Sequence, residues 1–311
     1  MNRTRATVVT TVFAGASAWQ APANGRLAES VGALPASIVS FLVGGLFLLG
    51  FVVWRGGFGS VRSIPTELRG VQLRYLSGGL MGATFVVTAV LTVESLGTGG
   101  VIATSVAGTL VGAVAIDWLG LLGVVKSPPG PGRWLGVVLL VAGTVILGGG
   151  APRFAPLALG AVFVVGLVVA FQPPVNARLA RILGGGRTAL FQTGVGLAAI
   201  CAVTFVGSLV GGGVGPAADP AQGALPWWAL TGGLLGAAYV ISTLMSVPAI
   251  GAGGVAAASI AGGLAFGSVA DSLGLFGLER IPLDAARLVG LAILAAGAAL
   301  VLRRAPQKPG P

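Results

Sequence analysis

Residues Gln20–Gly32 read QAPANGRLAESVG, and residues Gln172–Gly184 read QPPVNARLARILG. Each stretch gives Gln, Pro, Asn, Arg-Leu-Ala and Gly in the same order and spacing, and each follows an apolar run. The distance between the copies is 172 − 20 = 152 residues, about half of the 311-residue chain. The same offset pairs Gly44 with Gly196. Further along the offset becomes 154. GGLMGATFVV from Gly78 pairs with GGLLGAAYVI from Gly232, and GTGGVIATSVAG from Gly97 with GAGGVAAASIAG from Gly251. DWLGLLG from Asp117 pairs with DSLGLFG from Asp271. One unit is therefore present twice, with halves 1–150 and 151–311.

The surroundings of the repeat are those of a membrane protein. Hydrophobic residues make up 55% of the chain and charged residues 8%, where a soluble domain carries about 25% charged residues. The mean hydropathy is +0.97. Too few ionic groups exist to cover a soluble surface. Apolar runs recur along the chain, and about 20 helical residues cross a bilayer. The 54 glycines suit membrane helices, whose backbones approach closely. Ten spans are expected, roughly 6–22, 35–54, 75–93, 99–116, 134–150, 156–172, 188–210, 227–247, 254–270 and 286–302. In hydrocarbon the backbone must bond within its own segment, so these are helices. No period-two alternation of the kind a β-barrel needs is present.

With the N-terminus inside, only Arg26, Arg153, Arg280 and Arg287 of the 18 Lys and Arg fall outside. The other 18 − 4 = 14 fall inside, a strong positive-inside bias that places both termini in the cytoplasm. This sorting and contact with anionic lipid account for the net charge of +10. A nucleic-acid partner is not needed. Met1–Ala23 has the look of a signal peptide, but the second copy of the phrase follows an equally apolar run in mid-chain, where it can only end a helix. The first copy is expected to do the same. Five helices per half is an odd number, so the halves enter the membrane from opposite sides. Such inverted repeats mark many secondary transporters.

The phrase Q-x-P-x-N-x-R-L-A and the turn D-x-L-G-L-[LF]-G, in order and in both halves, resemble the YdcZ family of the drug/metabolite transporter superfamily. The resemblance covers about residues 6–302. It implies a ten-helix EamA-like fold in a bacterial plasma membrane, and an export role whose substrate is unassigned. Where the family often carries a Gln in the fourth helix, Thr109 and Gly263 stand here.

The candidate site is drawn from polar residues in apolar surroundings. Gln20 and Asn24, like Gln172 and Asn176, are four residues apart, so on a helix each pair shares one face. Pro22 and Pro173-Pro174 remove amide donors and release carbonyls. Amides and carbonyls could hold a polar solute between the halves, with Trp19 as an apolar wall. The local alternative is that the amides bond their own loosened backbone and that Asn ends the helix. Arg26 and Arg178 fit snorkelling at the interface. Glu94, at the end of the third span, is the candidate for a coupling proton; an interfacial cap is the alternative. Asp117 and Asp271 suit structural turns, accepting from nearby backbone N–H groups. Gly78/Gly82, Gly232/Gly236 and Gly108/Gly112 read as close helix contacts. Trp54, Trp118, Trp134, Trp227 and Trp228 form an interfacial belt.

No catalytic constellation is present. There is no His, Cys201 is the single cysteine, and no phosphate-binding loop occurs. The chain is not expected to be an enzyme or to carry a cofactor or metal. The expected function is secondary-active export of a small polar or amphipathic compound by alternating access. Lipid flipping and a non-transporting scaffold are the alternatives. The partners are a small-molecule substrate and membrane lipids, and a homodimer is left open.

Overall fold

The structure is a computed structural model describing residues 2–123, 126–149, 156–209, 225–275 and 280–302. Arg153, Asp219, Glu279, Arg303, Arg304 and Lys308 lie outside the described residues. Among the described residues all regular structure is helical. The long helices are α1 (Arg3–Ala18), α2 (Gln20–Val31), α3 (Ala33–Arg62), α5 (Gly78–Leu119), α6 (Pro131–Gly149), α7 (Pro156–Val169), α8 (Gln172–Leu183), α9 (Gly185–Leu209), α10 (Gly232–Leu273) and α11 (Ala285–Leu302); α4 (Ile64–Glu67) is a single turn. Seven helical segments among the described residues are long and apolar enough to cross a membrane. Large apolar side chains such as Leu46, Val138, Leu157 and Phe205 face outward, as they would toward lipid. This is a polytopic membrane protein.

The repeated phrase does not end a helix, as its sequence suggests. The chain breaks at Trp19 and again after Ala170, and the phrase forms a helix of its own, α2 in one half and α8 in the other. Pro22 and Pro173-Pro174 fall in the first turn of these helices, where a missing N–H leaves no bond broken. The final Gly of each phrase is a one-residue joint. Gly32 has φ +88°, its N–H donates to Ala28 O, and its own carbonyl accepts from Ala36 N. Gly184, with φ +77°, does the same between Ala180 and Thr188. One residue so closes α2 and opens α3, and its counterpart closes α8 and opens α9. Only glycine takes this backbone without cost.

Two further glycines divide the longest helices. An unbroken helix of 42 residues, the length of α5 and of α10, would run about 63 Å at 1.5 Å per residue. That is twice the hydrocarbon thickness of about 30 Å. Gly97 (φ +70°) splits α5 into limbs 78–96 and 98–119, and Gly251 (φ +69°) splits α10 into limbs 232–250 and 252–273.

The halves pack through glycine faces, and the contacts exchange when the halves are exchanged. An added Cβ at Gly44 would meet Gly233 O at 2.8 Å, and one at Gly196 would meet Gly79 O at 2.9 Å. Gly143 lies on Gly290 and Gly297 on Gly136, at 3.0 and 2.9 Å. Gly108 lies on Phe163 O, and Gly262 on Thr11 O. Each contact maps onto its mate by the offsets of 152 and 154. The largest core cluster joins both halves as well, with Ala103, Leu110, Val114 and Leu140 against Leu264 and Leu294.

Candidate functional site

Two polar clusters occupy the seam between the halves, and they are repeat-equivalents. In the first, Asn24 of α2 is 1% exposed. Its Nδ2 donates to Ser40 Oγ at 3.0 Å. Its Oδ1 lies against Gly232 of the other half, where a Cβ would collide with it. Gln20, one turn earlier, packs on Gly236, its amide 2.7–2.8 Å from where a Cβ would stand. In the second cluster Asn176 of α8 lies against Gly78 in the same way. Gln172 covers Gly82, and its Nε2 donates to Gly78 O at 2.9 Å. The glycine pairs are thus more than helix contacts. Each is the bare face on which the amides of the opposite half rest.

The sequence reading missed one member. Gln192 of α9 is 4% exposed and stands where Ser40 stands in the first half (192 − 152 = 40). Its Oε1 accepts from Gly79 N at 2.7 Å, and its Nε2 donates to Tyr75 O at 3.2 Å. The signal was an amide amid the apolar span 188–210. Neither asparagine is satisfied in full: Asn24 Oδ1 and Asn176 Oδ1 are buried with no hydrogen-bond partner. Nearly all such groups in folded proteins have one.

Trp19 stands at the break between α1 and α2. Its Nε1 donates to Phe266 O at 3.2 Å, and its ring lies 5.8 Å from that of Phe266. Trp19 therefore packs on α10 of the other half. Glu94 is exposed, three residues before the Gly97 break. Thr109 donates through Oγ1 to Gly166 O at 3.2 Å.

Asp117 and Asp271 lie in the last turns of α5 and α10, but their carboxylates reach beyond their own turns. Asp117 pairs with Arg133 at 2.7 Å. Asp271 pairs with Arg287 and accepts from Thr98 N and Gly99 N at 2.7 and 2.8 Å, capping limb 98–119 of the other half. Their backbone carbonyls are used as well: Asp271 O accepts from Gly274 N three residues on, and Asp117 O and Asp271 O accept from Ser127 N and Ile281 N ten residues on.

The family described as "Putative inner membrane exporter, YdcZ" matches this chain twice, at residues 6–146 and 157–300. This chain belongs to the YdcZ family. The two matches coincide with the two copies read from the sequence, so this YdcZ protein carries the family unit in tandem. One solved crystal structure, described only as "Crystal structure of protein", is similar over 96% of both chains, with a TM-score of 0.58 and 17% identity. At that identity the likeness concerns the fold alone. No curated protein sequence matches the chain. The description of this family implies an inner-membrane transporter rather than an enzyme, in keeping with the apolar helices of the fold.

Proposed function

We propose that this YdcZ protein exports a small polar or amphipathic compound by secondary-active alternating access. Its helices cross the membrane ten times. The halves are inverted relative to each other, and both termini are cytoplasmic. The limbs on either side of Gly97 and of Gly251 each make one crossing. The bent pairs α1–α2 and α7–α8 also count as one each.

The observation that carries this reading is the pair of unpartnered amide oxygens, Asn24 Oδ1 and Asn176 Oδ1. A buried acceptor without a donor costs about 1–3 kcal/mol. Here the cost occurs twice, at equivalent positions on the face where the halves meet. A second state that parts the halves would offer both oxygens to a solute donor. Gln20 and Gln172, which are half-buried, are the first amides such a solute meets, with Trp19 beside it. Glu94 supplies the coupling proton from the rim.

Replacing Gln20 and Gln172 together by Ala should abolish solute flux in proteoliposomes and leave the protein folded, as judged by its melting curve. Full flux in the folded double variant would remove both residues from the site.

A lipid-handling reading has one observation in its favour. A groove of about 340 Å³ lies between α3, the α8–α9 joint and α10, walled by Phe51, Leu183, Leu244 and Met245 with Arg55 and Arg187 at its polar side. Apolar walls beside the Arg55 cation suit an anionic lipid, Arg187 being paired with Glu67. Lipid translocation measured beside solute uptake separates the two readings.

A further inference from the structure

The two Asp–Arg pairs are equivalents: 117 + 154 = 271 and 133 + 154 = 287. Their backbone settings match as well, since Ser127, which donates to Asp117 O, maps onto Ile281, which donates to Asp271 O. The same local sequence has nonetheless been placed in two different surroundings. The side chains of Asp271 and Arg287 are 0% and 7% exposed, those of Asp117 and Arg133 34% and 16%. Asp271 holds the first amides of limb 98–119, while Arg287 also donates to Ile281 O at 3.2 Å. Gly99 fits tightly beneath this pair, because a Cβ there would lie 2.8 Å from Asp271 Oδ2 and 3.1 Å from Arg287.

We propose that Asp271–Arg287 is the latch that closes the outer end of the transporter, that Asp117–Arg133 is its counterpart at the inner end, and that the transport cycle exchanges which of the two is buried. This rests on the transporter reading above. Two related units in unlike conformations can trade conformations at modest net cost. In the traded state Asp117 caps the limb that begins at Ala252 and Gly253, since 98 + 154 = 252 and 99 + 154 = 253, and Asp271 is hydrated. A second observation points to hydration at the outer end. The hydroxyls of Thr98, whose N–H bonds Asp271, and of Ser268, one turn before Asp271, are buried with no hydrogen-bond partner. Opening the latch would give both a partner in water. The pair serves as a tether: the burial of two charges is costly unless they stay paired and bonded, so the end either stays shut or opens wide enough to admit water.

The test uses full-length protein in right-side-out vesicles, with exposed Cys201 changed to Ala and Thr98, which is fully buried, changed to Cys. A membrane-impermeant maleimide is added outside. Thr98→Cys should label slowly. Asp271→Asn weakens only the outer-closed state, so labelling should rise about tenfold or more by population shift. Adding Asp117→Asn weakens the opposite state and should return the rate toward that of the parent. If Asp271→Asn does not fold, Arg287→Gln carries the same expectation. Unchanged labelling in the folded outer-pair variants would overturn the latch. So would an increase that Asp117→Asn does not reverse, because a merely structural role predicts accumulating damage. Solute flux without any exchange in labelling overturns the latch alone. Exchange without flux overturns the transport reading and leaves the latch standing.

Discussion

At the scale of single residues, the seam is built from amides that need bare glycine opposite them. Gly232 and Gly78 have no room for a methyl group, because Asn24 and Asn176 occupy it. Gly50, on α3, has nothing within 4 Å of an added Cβ. Gly232→Ala should therefore cost about 1–3 kcal/mol through overpacking, whereas Gly50→Ala should be neutral or stabilise by up to about 1 kcal/mol through helix propensity. Thermal melting of the two variants in one detergent checks the contrast; equal midpoints would mean that Asn24 yields freely. The amides themselves were legible in the sequence, since Gln and Asn four residues apart in apolar surroundings are conspicuous and the spacing is kept in both halves. Their partners were not legible. That Asn24 meets Gly232 depends on a contact more than 200 positions away, and a run of glycines carries no mark of which side chain will lie on it. Gln192 went unnoticed for a related reason: its counterpart is Ser40, so the repeat gave no matching amide.

At the scale of elements, the single-residue joints decide where helices stop. Gly97 and Gly251 have nearly the same backbone angles but different surroundings. A Cβ at Gly97 would lie 2.7 Å from Ile281 and 3.0 Å from Asp271, while one at Gly251 would meet nothing within 4 Å. Gly251→Ala should lose only the backbone strain of about 1–3 kcal/mol. Gly97→Ala should lose that and a packing cost of similar size. The difference between the two melting points measures the outer-end contact; a larger loss at Gly251 would contradict the packing described. The joints also explain what the sequence concealed. Hydropathy marked the chain as a set of apolar membrane helices, but a helix ending at Gln20 and one beginning there share the same apolar profile. Trp19 and Pro22 mark the spot without saying on which side the next helix lies.

A second element-scale tie is α4 to α9. Arg187 Nη1 donates to Glu67 Oε1 at 2.6 Å and to Ser63 Oγ at 3.0 Å. The Arg187 hydrogen bond, followed by one from Ser63, holds the Glu67 carboxyl below its ordinary value. A carboxylate whose folded value is lowered stabilises the fold above its unfolded pKa and loses that contribution as pH falls through the folded value. The advantage of the parent over Glu67→Gln should hold at neutral pH, shrink below about pH 4.3, and disappear under more acid conditions. Melting curves across that range check it; a gap that widens on acidification would contradict the assigned cause. Both groups are part-exposed, so the effect should weaken in high salt.

At the scale of the whole molecule, the exchange of contacts between halves is the central feature. Gly44 on Gly233 matches Gly196 on Gly79, and Gly143 on Gly290 matches Gly297 on Gly136. Such pairing fits a twofold relation between the copies, and the five crossings per copy proposed above would make that relation invert the halves. The repeat was legible in full from DWLGLLG and DSLGLFG and from the glycine motifs. The unlike burial of the two Asp–Arg pairs was not, because the shared Asp, Arg and glycine positions predict similar surroundings and long-range packing decides which pair is covered.

Lys126 and Arg280 test the inversion most directly. They are equivalents, since 126 + 154 = 280, and both are exposed. In protein free of Cys201, each is changed singly to Cys and treated with a membrane-impermeant maleimide on intact cells. Inverted halves predict that Arg280→Cys labels at once and that Lys126→Cys labels only after the membrane is permeabilised. Labelling of both from the same side of the membrane would contradict the account.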